Sequence, residues 1–270
     1  MNRVIGWVIV IVVAGAIGGA LYYRSQQSQL RPAPPAAEAP SKKPPAEPAI
    51  RYPLEEKPVG EPLPPLEKSD PAMRDALRGL WDEKIVGQIF VVSEFVRRVV
   101  ATIDNLPRQK VAMRLMPVKQ VPGQFRVAGI SDELTVHPDN AARYALYVKT
   151  LESVDSARLV DAYKRFYPLF QKAYEDLGYP KAYFNDRVVE VIDHLLAAPE
   201  MPANARLVQP KVFYQFADPD LERRSAGQKI MMRIGNENAS RVKAKLREIR
   251  GQLAREEVKP PQQTPPAGGR

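Results

Sequence analysis

Residues 84–105 read KIVGQIFVVSEFVRRVVATIDN. Ile85, Ile89, Val92, Val96, Val99 and Ile103 recur at three- and four-residue spacing, the period that lays one apolar stripe along an α-helix. The run ends at Asn105-Leu106-Pro107, because a proline pushes the residue before it out of helical geometry. Upstream, Ser69 precedes Asp70-Pro71-Ala72, a helix start with proline in the first turn. The stretch therefore sets the fold class as mainly α, a multi-helix soluble domain over residues 66–255.

Further along, residues 107–137 lose the helical period. Pro117, Pro122 and Gly123 punctuate them, and Phe125-Arg126-Val127 and Leu134-Thr135-Val136 alternate around Ser131-Asp132, which predicts a small β-hairpin. Helical patterns then resume. Asp139 is placed to cap a helix carrying Tyr144 and Tyr147. Ser153 or Asp155 is placed to cap the next, which stops at Gly178 and Pro180. Lys181 to Ala198 reads as a helix closed by Pro199. Another is expected from Asp218 to Arg233, after the β-prone Val212-Phe213-Tyr214. Asn236 is expected to cap the last, whose stripe is Val242, Leu246, Ile249 and Leu253.

Upstream of the domain the chain changes character. Val4 to Tyr23 is uncharged and apolar, VIGWVIVIVVAGAIGGALYY. Twenty residues at ~1.5 Å each give about 30 Å, the thickness of a bilayer's hydrocarbon core. Arg3 and Arg24 bracket the run, and Tyr22 and Tyr23 sit where aromatic rings prefer the interface. The run is longer than the apolar part of a cleaved signal peptide, so 4–23 is expected to be a single-pass transmembrane helix that contacts membrane lipid. Gly15 and Gly19 form a small-xxx-small pair that lets a second copy of the anchor pack closely, a route to a homodimer. Residues 24–65 form a Pro-rich linker. Twelve of the chain's 27 prolines lie between Pro32 and Pro65, and so few large apolar residues cannot offset the entropy of ordering. Residues 256–270 read as a disordered tail.

Composition narrows the chemistry. With no cysteine, disulfides, thiolate nucleophiles and Cys-based zinc sites are excluded. Two histidines leave little for imidazole metal ligation, so neither a metal nor a cofactor is expected. The net charge of +9 is concentrated late in the domain, where Arg241, Lys243, Lys245, Arg247, Arg250 and Arg255 face Glu248 alone. No nucleic-acid-binding pattern accompanies it, and no nucleic acid is expected as a partner.

The strings HPDNAARY, FYPLFQKAYEDLGYP, YFNDRVVEVIDHLLAAP, VQPKVFYQFADPDLE and SAGQKIMMRIGNENASRVKAKLREIR cover most of the domain. In them the chain resembles an uncharacterised bacterial family, a domain of unknown function with an N-terminal membrane anchor, a Pro-rich spacer and a helical soluble domain. The resemblance implies a bacterial envelope location and carries over no catalytic residue.

Four clusters are candidate sites, and each has a purely structural reading beside it. Seven of the eleven tyrosines lie between Tyr144 and Tyr183. Rings that large ordinarily build a core. The alternative is that Tyr167, Tyr174, Tyr179 and Tyr183 line a groove for a sugar or a peptide, opened by a kink or break at Pro168. Asp186, Glu190, Asp193 and His194 fall at helical spacing, either as a solvated face with ion pairs or as a cation or proton site. Tyr183-Phe184-Asn185-Asp186-Arg187 opens a helix, which gives Asn185 and Asp186 the choice between capping and ligand contact. The basic stretch Arg241, Lys243, Lys245, Arg247 and Arg250 reads as a solvated face or as a surface for anionic lipid or an acidic polymer.

The sequence thus leads to a membrane-tethered binding or scaffold module of the bacterial cell envelope, more readily a non-enzyme. It would sit in the inner membrane as a single-pass protein with the soluble domain outside the cytoplasm, facing an envelope protein or cell-wall partner. The competing reading is a cell-wall-acting glycan hydrolase, with an aromatic groove and an acid drawn from Glu152, Glu175, Glu190 or Glu200.

Overall fold

A computed structural model of the 270-residue chain describes residues 49–54, 62–130 and 133–254. They belong to one compact unit, Pro48–Arg270. The 4–23 run, Gly15 and Gly19, most of the 24–65 linker and the 256–270 tail lie outside the described residues. Among the described residues no helix is long and apolar enough to cross a membrane.

The domain is mainly helical. The helices are α1 (Asp70–Leu80), α2 (Glu83–Ile89), α3 (Phe95–Asn105), α4 (Asn140–Arg143), α5 (Ala145–Ser153), α6 (Ser156–Asp176), α7 (Phe184–Leu196), α8 (Pro219–Glu222), α9 (Ala226–Arg233) and α10 (Asn236–Leu253). α6 packs on α3, and α10 packs on α5, α6 and α7. Between α6 and α3 lies the main core, with Leu77, Val96, Val100, Phe166, Phe170, Tyr174 and Phe184 all buried.

The amphipathic run at 84–105 is two helices, not one. Phe90 turns extended and bridges Val118, and the Val91 N–H donates to the Pro117 carbonyl at 2.9 Å. Glu94 then takes left-handed backbone geometry, φ 51°, which costs a non-glycine residue about 1–2 kcal/mol. Asp70 offsets that cost. Its carboxylate accepts from the Glu94 and Phe95 N–H groups at 2.8 and 3.1 Å, so the orphan donors at the start of α3 are capped from another helix.

Three other boundaries differ from the sequence reading. The Asp218–Arg233 span is α8 and α9, because Asp218 and Ser225 each accept a backbone N–H and start a helix of their own. Asp139 precedes α4 without a side-chain cap, and Tyr147 belongs to α5. Asn236 is the first residue of α10 rather than its cap. Its side chain instead exchanges hydrogen bonds with the Met201 backbone, while Gly235 supplies the turn at φ 90°. The Asp155 cap is present, accepting from the Arg158 N–H at 2.9 Å. α6 runs through Pro168 without stopping.

Two antiparallel hairpins complete the domain: β1 (Val127–Ala128) with β2 (Thr135–Val136), and β3 (Leu207–Val208) with β4 (Gln215–Phe216). The sequence predicts only the first. An antiparallel bridge from Thr135 to Arg206, with a 2.6 Å bond from the Leu207 N–H to the Leu134 carbonyl, joins them. Buried Asn140 fastens the first hairpin to the helices by accepting from the Arg126 N–H and donating to its carbonyl. Under the hairpins, Leu207, Phe216, Leu221 and Met232 form a separate small core.

Candidate functional site

The start of α7 gathers most of the residues singled out in the sequence. Tyr183 is its N-cap position but supplies no side-chain cap. The cap comes from α6. Gln171 Oε1 accepts the Phe184 N–H at 2.8 Å, and Tyr167, whose hydroxyl donates to Gln171 Oε1 at 3.0 Å, accepts the Asn185 N–H at 3.4 Å. This leaves Asn185, Asp186 and the Tyr183 hydroxyl free to act outward, and all three hold residues 51–54 of the same chain. Asp186 Oδ1 and Oδ2 accept from the Tyr52 and Arg51 N–H groups at 2.8 and 3.0 Å. Asn185 Nδ2 donates to the Tyr52 carbonyl at 2.8 Å, and the Leu54 N–H donates to the Tyr183 hydroxyl at 2.9 Å. Tyr52 and Leu54 pack their side chains on the Val160, Val189 and Ile192 cluster. A stretch placed in the Pro-rich linker is thus a strap built into the domain.

The tyrosines divide between core and strap. Tyr174 is buried and stacks on Tyr179 with ring centroids 4.6 Å apart. Burial pushes its hydroxyl up to about 12. Tyr167 is half-buried between Tyr163 and Tyr183, at 5.7 and 5.2 Å, and burial raises its hydroxyl far above the ordinary range. These rings fill space between α6 and α7, so they do not line an open groove. Tyr179 instead joins a polar knot, where its hydroxyl accepts from Arg108 at 2.9 Å and donates to buried Asp104 at 3.4 Å. Asp104 also pairs with Arg108 at 2.5 Å and Arg187 at 3.3 Å.

The acidic face of α7 is consumed one member at a time. Asp186 holds the strap, Glu190 pairs with Arg187 at 3.0 Å, and Asp193 takes a two-point contact from Arg250. His194 Nε2 lies 2.7 Å from Ser225 Oγ at the start of α9. Burial, with the nearby Arg187 charge, lowers its pKa from 6.5. No group of three or more potential metal ligands occurs among the described residues.

The basic stretch of α10 is largely spent inside the molecule. Arg241 makes a two-point contact with Glu152, and Lys243 donates to the Ala198 carbonyl at 2.5 Å. Lys245 is buried, donating to the Val154 carbonyl, Ser156 Oγ and Glu248 within 3.2 Å. Arg250 holds Asp193, and Arg247 is exposed. These cations staple α10 to α5, α6 and α7 instead of forming one outward surface.

The feature that the sequence did not single out is at the hairpin tips. Ile130 is 80% exposed, Val212 77% and Phe213 80%. Because β2 runs antiparallel to β3, Ile130, just after β1, and Val212 and Phe213, between β3 and β4, fall toward the same end of the joined hairpins. Exposed Arg206 and Lys211 flank them. The available signal was Val212-Phe213 beside Pro210 in a turn-length gap, which reads as strand only if the gap is ignored.

The family described as "Protein of unknown function (DUF3014)" matches residues 95–250, more than half of the chain. The chain belongs to that family. The match takes in α3 through most of α10, and so includes both hairpins, the knot around Asp104 and the α7 end of the strap clamp. No curated protein and no solved structure matches the chain.

Proposed function

We propose that the protein is a membrane-tethered binding or scaffold module of the bacterial cell envelope, and that its domain docks an envelope protein through the two hairpin tips. The observation that carries this is the exposure of Ile130, Val212 and Phe213 toward the same end of the joined hairpins. Large apolar side chains that protrude together from a well-packed domain mark an interaction surface. The uncharged 4–23 run supports a single-pass anchor in the inner membrane with the domain outside the cytoplasm, and the linker supplies reach. The strap agrees with this arrangement: a pull on the linker enters the fold at α7, through four hydrogen bonds, instead of fraying the start of α1.

The hydrolase reading has weaker support. A glycan-cleaving acid must stay protonated near neutral pH, which calls for a raised pKa. Glu152 is instead held below its usual range by the Arg241 guanidinium, and Glu190 is paired with Arg187.

The test is a photo-crosslinking residue at Phe213 in living cells, in the full chain, compared with one at exposed Arg158. Position 213 should give a discrete crosslinked species and position 158 should not. The double substitution Val212→Ser with Phe213→Ser should remove function while leaving the melting temperature within about 2 °C, as for other surface changes. Equal labelling at both positions overturns the docking edge. A reporter active only outside the cytoplasm, fused after Arg255, tests the placement separately.

A further inference from the structure

A cavity of about 290 Å³ lies between α1, α3 and α6, lined further by Val188 of α7 and by Ile249 and Leu253 of α10, and it is open to solvent along part of its boundary. Leu77, Trp81, Val99, Leu159, Phe166 and Phe170 are among the side chains that line it, and the wall is carbon almost throughout. None of its lining residues comes from either hairpin, so it is distinct from the hairpin tips.

Size and shape together restrict what can fill it. A cavity of about 150 Å³ lined by apolar side chains holds one benzene ring, so this one has room for about twelve carbons. Its lining runs along α6 from Leu159 to Phe170, about 16 Å of helix at ~1.5 Å per residue. If the void is as long as that lining, its mean cross-section is about 18 Å². A single extended polymethylene chain fits that section, whereas a fused ring does not. A fully extended chain of twelve carbons also has about that length, so the two estimates agree. Leaving such a space empty would forfeit dispersion contacts along five helices at once.

We propose that this cavity is a binding site for one unbranched aliphatic chain of about twelve carbons, such as the acyl chain of a fatty acid or a lysophospholipid. The inference does not depend on where the domain is held or on the hairpin tips. The polar head remains outside the apolar channel, and the chain provides most of the affinity.

Trp81 gives a direct readout. It lines the cavity and is the only tryptophan in residues 48–270, the compact unit that contains the described core. That fragment is titrated with dodecanoate brominated near the chain end, as the free acid and as the lysophospholipid, while Trp81 fluorescence and the melting temperature are followed. Quenching with a rise in melting temperature is expected from at least one form, and which form binds tells a free acid from a lipid. Affinity for unbrominated acids should rise about fourfold per methylene from six carbons and level off near twelve. Ala76→Leu and Ala162→Leu each add carbon to the lining. Both should weaken binding at least tenfold while the helical circular dichroism spectrum is kept. Absence of quenching by either form, equal quenching in both filled variants, or equal affinity for compact adamantane carboxylate would each overturn the proposal.

Discussion

Asp186→Ala should release the strap without unfolding the domain, and the reason lies in how closely the local terms balance. The carboxylate accepts two backbone N–H bonds, and the one from Arg51 is solvent-exposed. Together they contribute about 2–4 kcal/mol. The Asn185 and Tyr183 bonds contribute about 1 kcal/mol each, and partial burial of the Tyr52 and Leu54 side chains about 1 kcal/mol each. Against this stands the entropy of fixing residues 50–54, at about 1–2 kcal/mol per residue and less for Pro53. With the entropy near the low end of that range, about 5 kcal/mol, and the contacts at about 6–7 kcal/mol, the strap is held by about 1–2 kcal/mol net, a closed-to-open ratio of roughly 5–30. Losing both carboxylate bonds exceeds that margin, so the open form should dominate in the variant. The cost to global stability is capped by the strap's own net contribution. The melting temperature should fall by a few degrees at most, at about 2–4 °C per kcal/mol for a domain of this size.

Hydrogen exchange reads this directly. The Arg51, Tyr52 and Leu54 amides are the donors to the clamp, so in the parent chain they should exchange roughly 5–30-fold more slowly than an open segment. In Asp186→Ala they should exchange at open-chain rates while α3 and α6 amides stay protected. Asp186→Asn keeps one acceptor oxygen and should fall between. Unchanged protection at Tyr52 and Leu54 would refute the clamp, and loss of cooperative melting would show that the strap is part of the global core.

How far the sequence reveals such features depends on whether they are local. The first hairpin was legible because Phe125–Val127 and Leu134–Val136 alternate on either side of a short turn, and the Asp155 start and Gly178 stop of α6 because caps and glycines act within a few residues. The break at 90–94 was not legible. Val92 and Val96 keep the helical phase across it, and the cap that starts α3 comes from Asp70, 24 residues upstream. The division of 218–233 did carry a local signal that the periodic reading passed over: Ser225 is followed three residues later by Gln228, the spacing of a helix start. For the strap, composition offered only Ile50, Tyr52 and Leu54 as a small apolar group inside the Pro-rich stretch, and nothing in it named the partner. Asp186 and Asn185 bind backbone atoms of residues 51–52, and any residue can offer backbone. The basic stretch shows the converse limit. Charge counting sees five cations near one another, but only packing shows that Arg241, Lys243, Lys245 and Arg250 each meet an acceptor on a neighbouring element.

Two further outcomes separate core from site. Tyr174→Ala should destabilise the domain by about 3–5 kcal/mol in denaturant melts, because the ring is buried against Tyr179 and Phe184; a loss under 1 kcal/mol would place the ring at the surface instead. His194 should make stability depend on pH in a defined direction. Its imidazole is held neutral in the fold, with its pKa below the unfolded value of 6.5, so the unfolded chain takes up the proton first. Stability is then fully present above pH 6.5 and declines as pH falls through 6.5 toward the lower folded pKa. The structural consequence is local. Ser225 Oγ accepts the Gln228 N–H that starts α9, and with a neutral ring accepting at Nε2 its proton points to His194. Protonating the ring removes that acceptor and places a cation close to Arg187, whose charge already disfavours it. His194→Gln keeps a polar partner for Ser225 without a titrating group, so it should flatten the denaturation midpoint between pH 7 and about pH 5. If the parent and His194→Gln lose stability in parallel over that range, the dependence belongs to the carboxylates and not to this histidine.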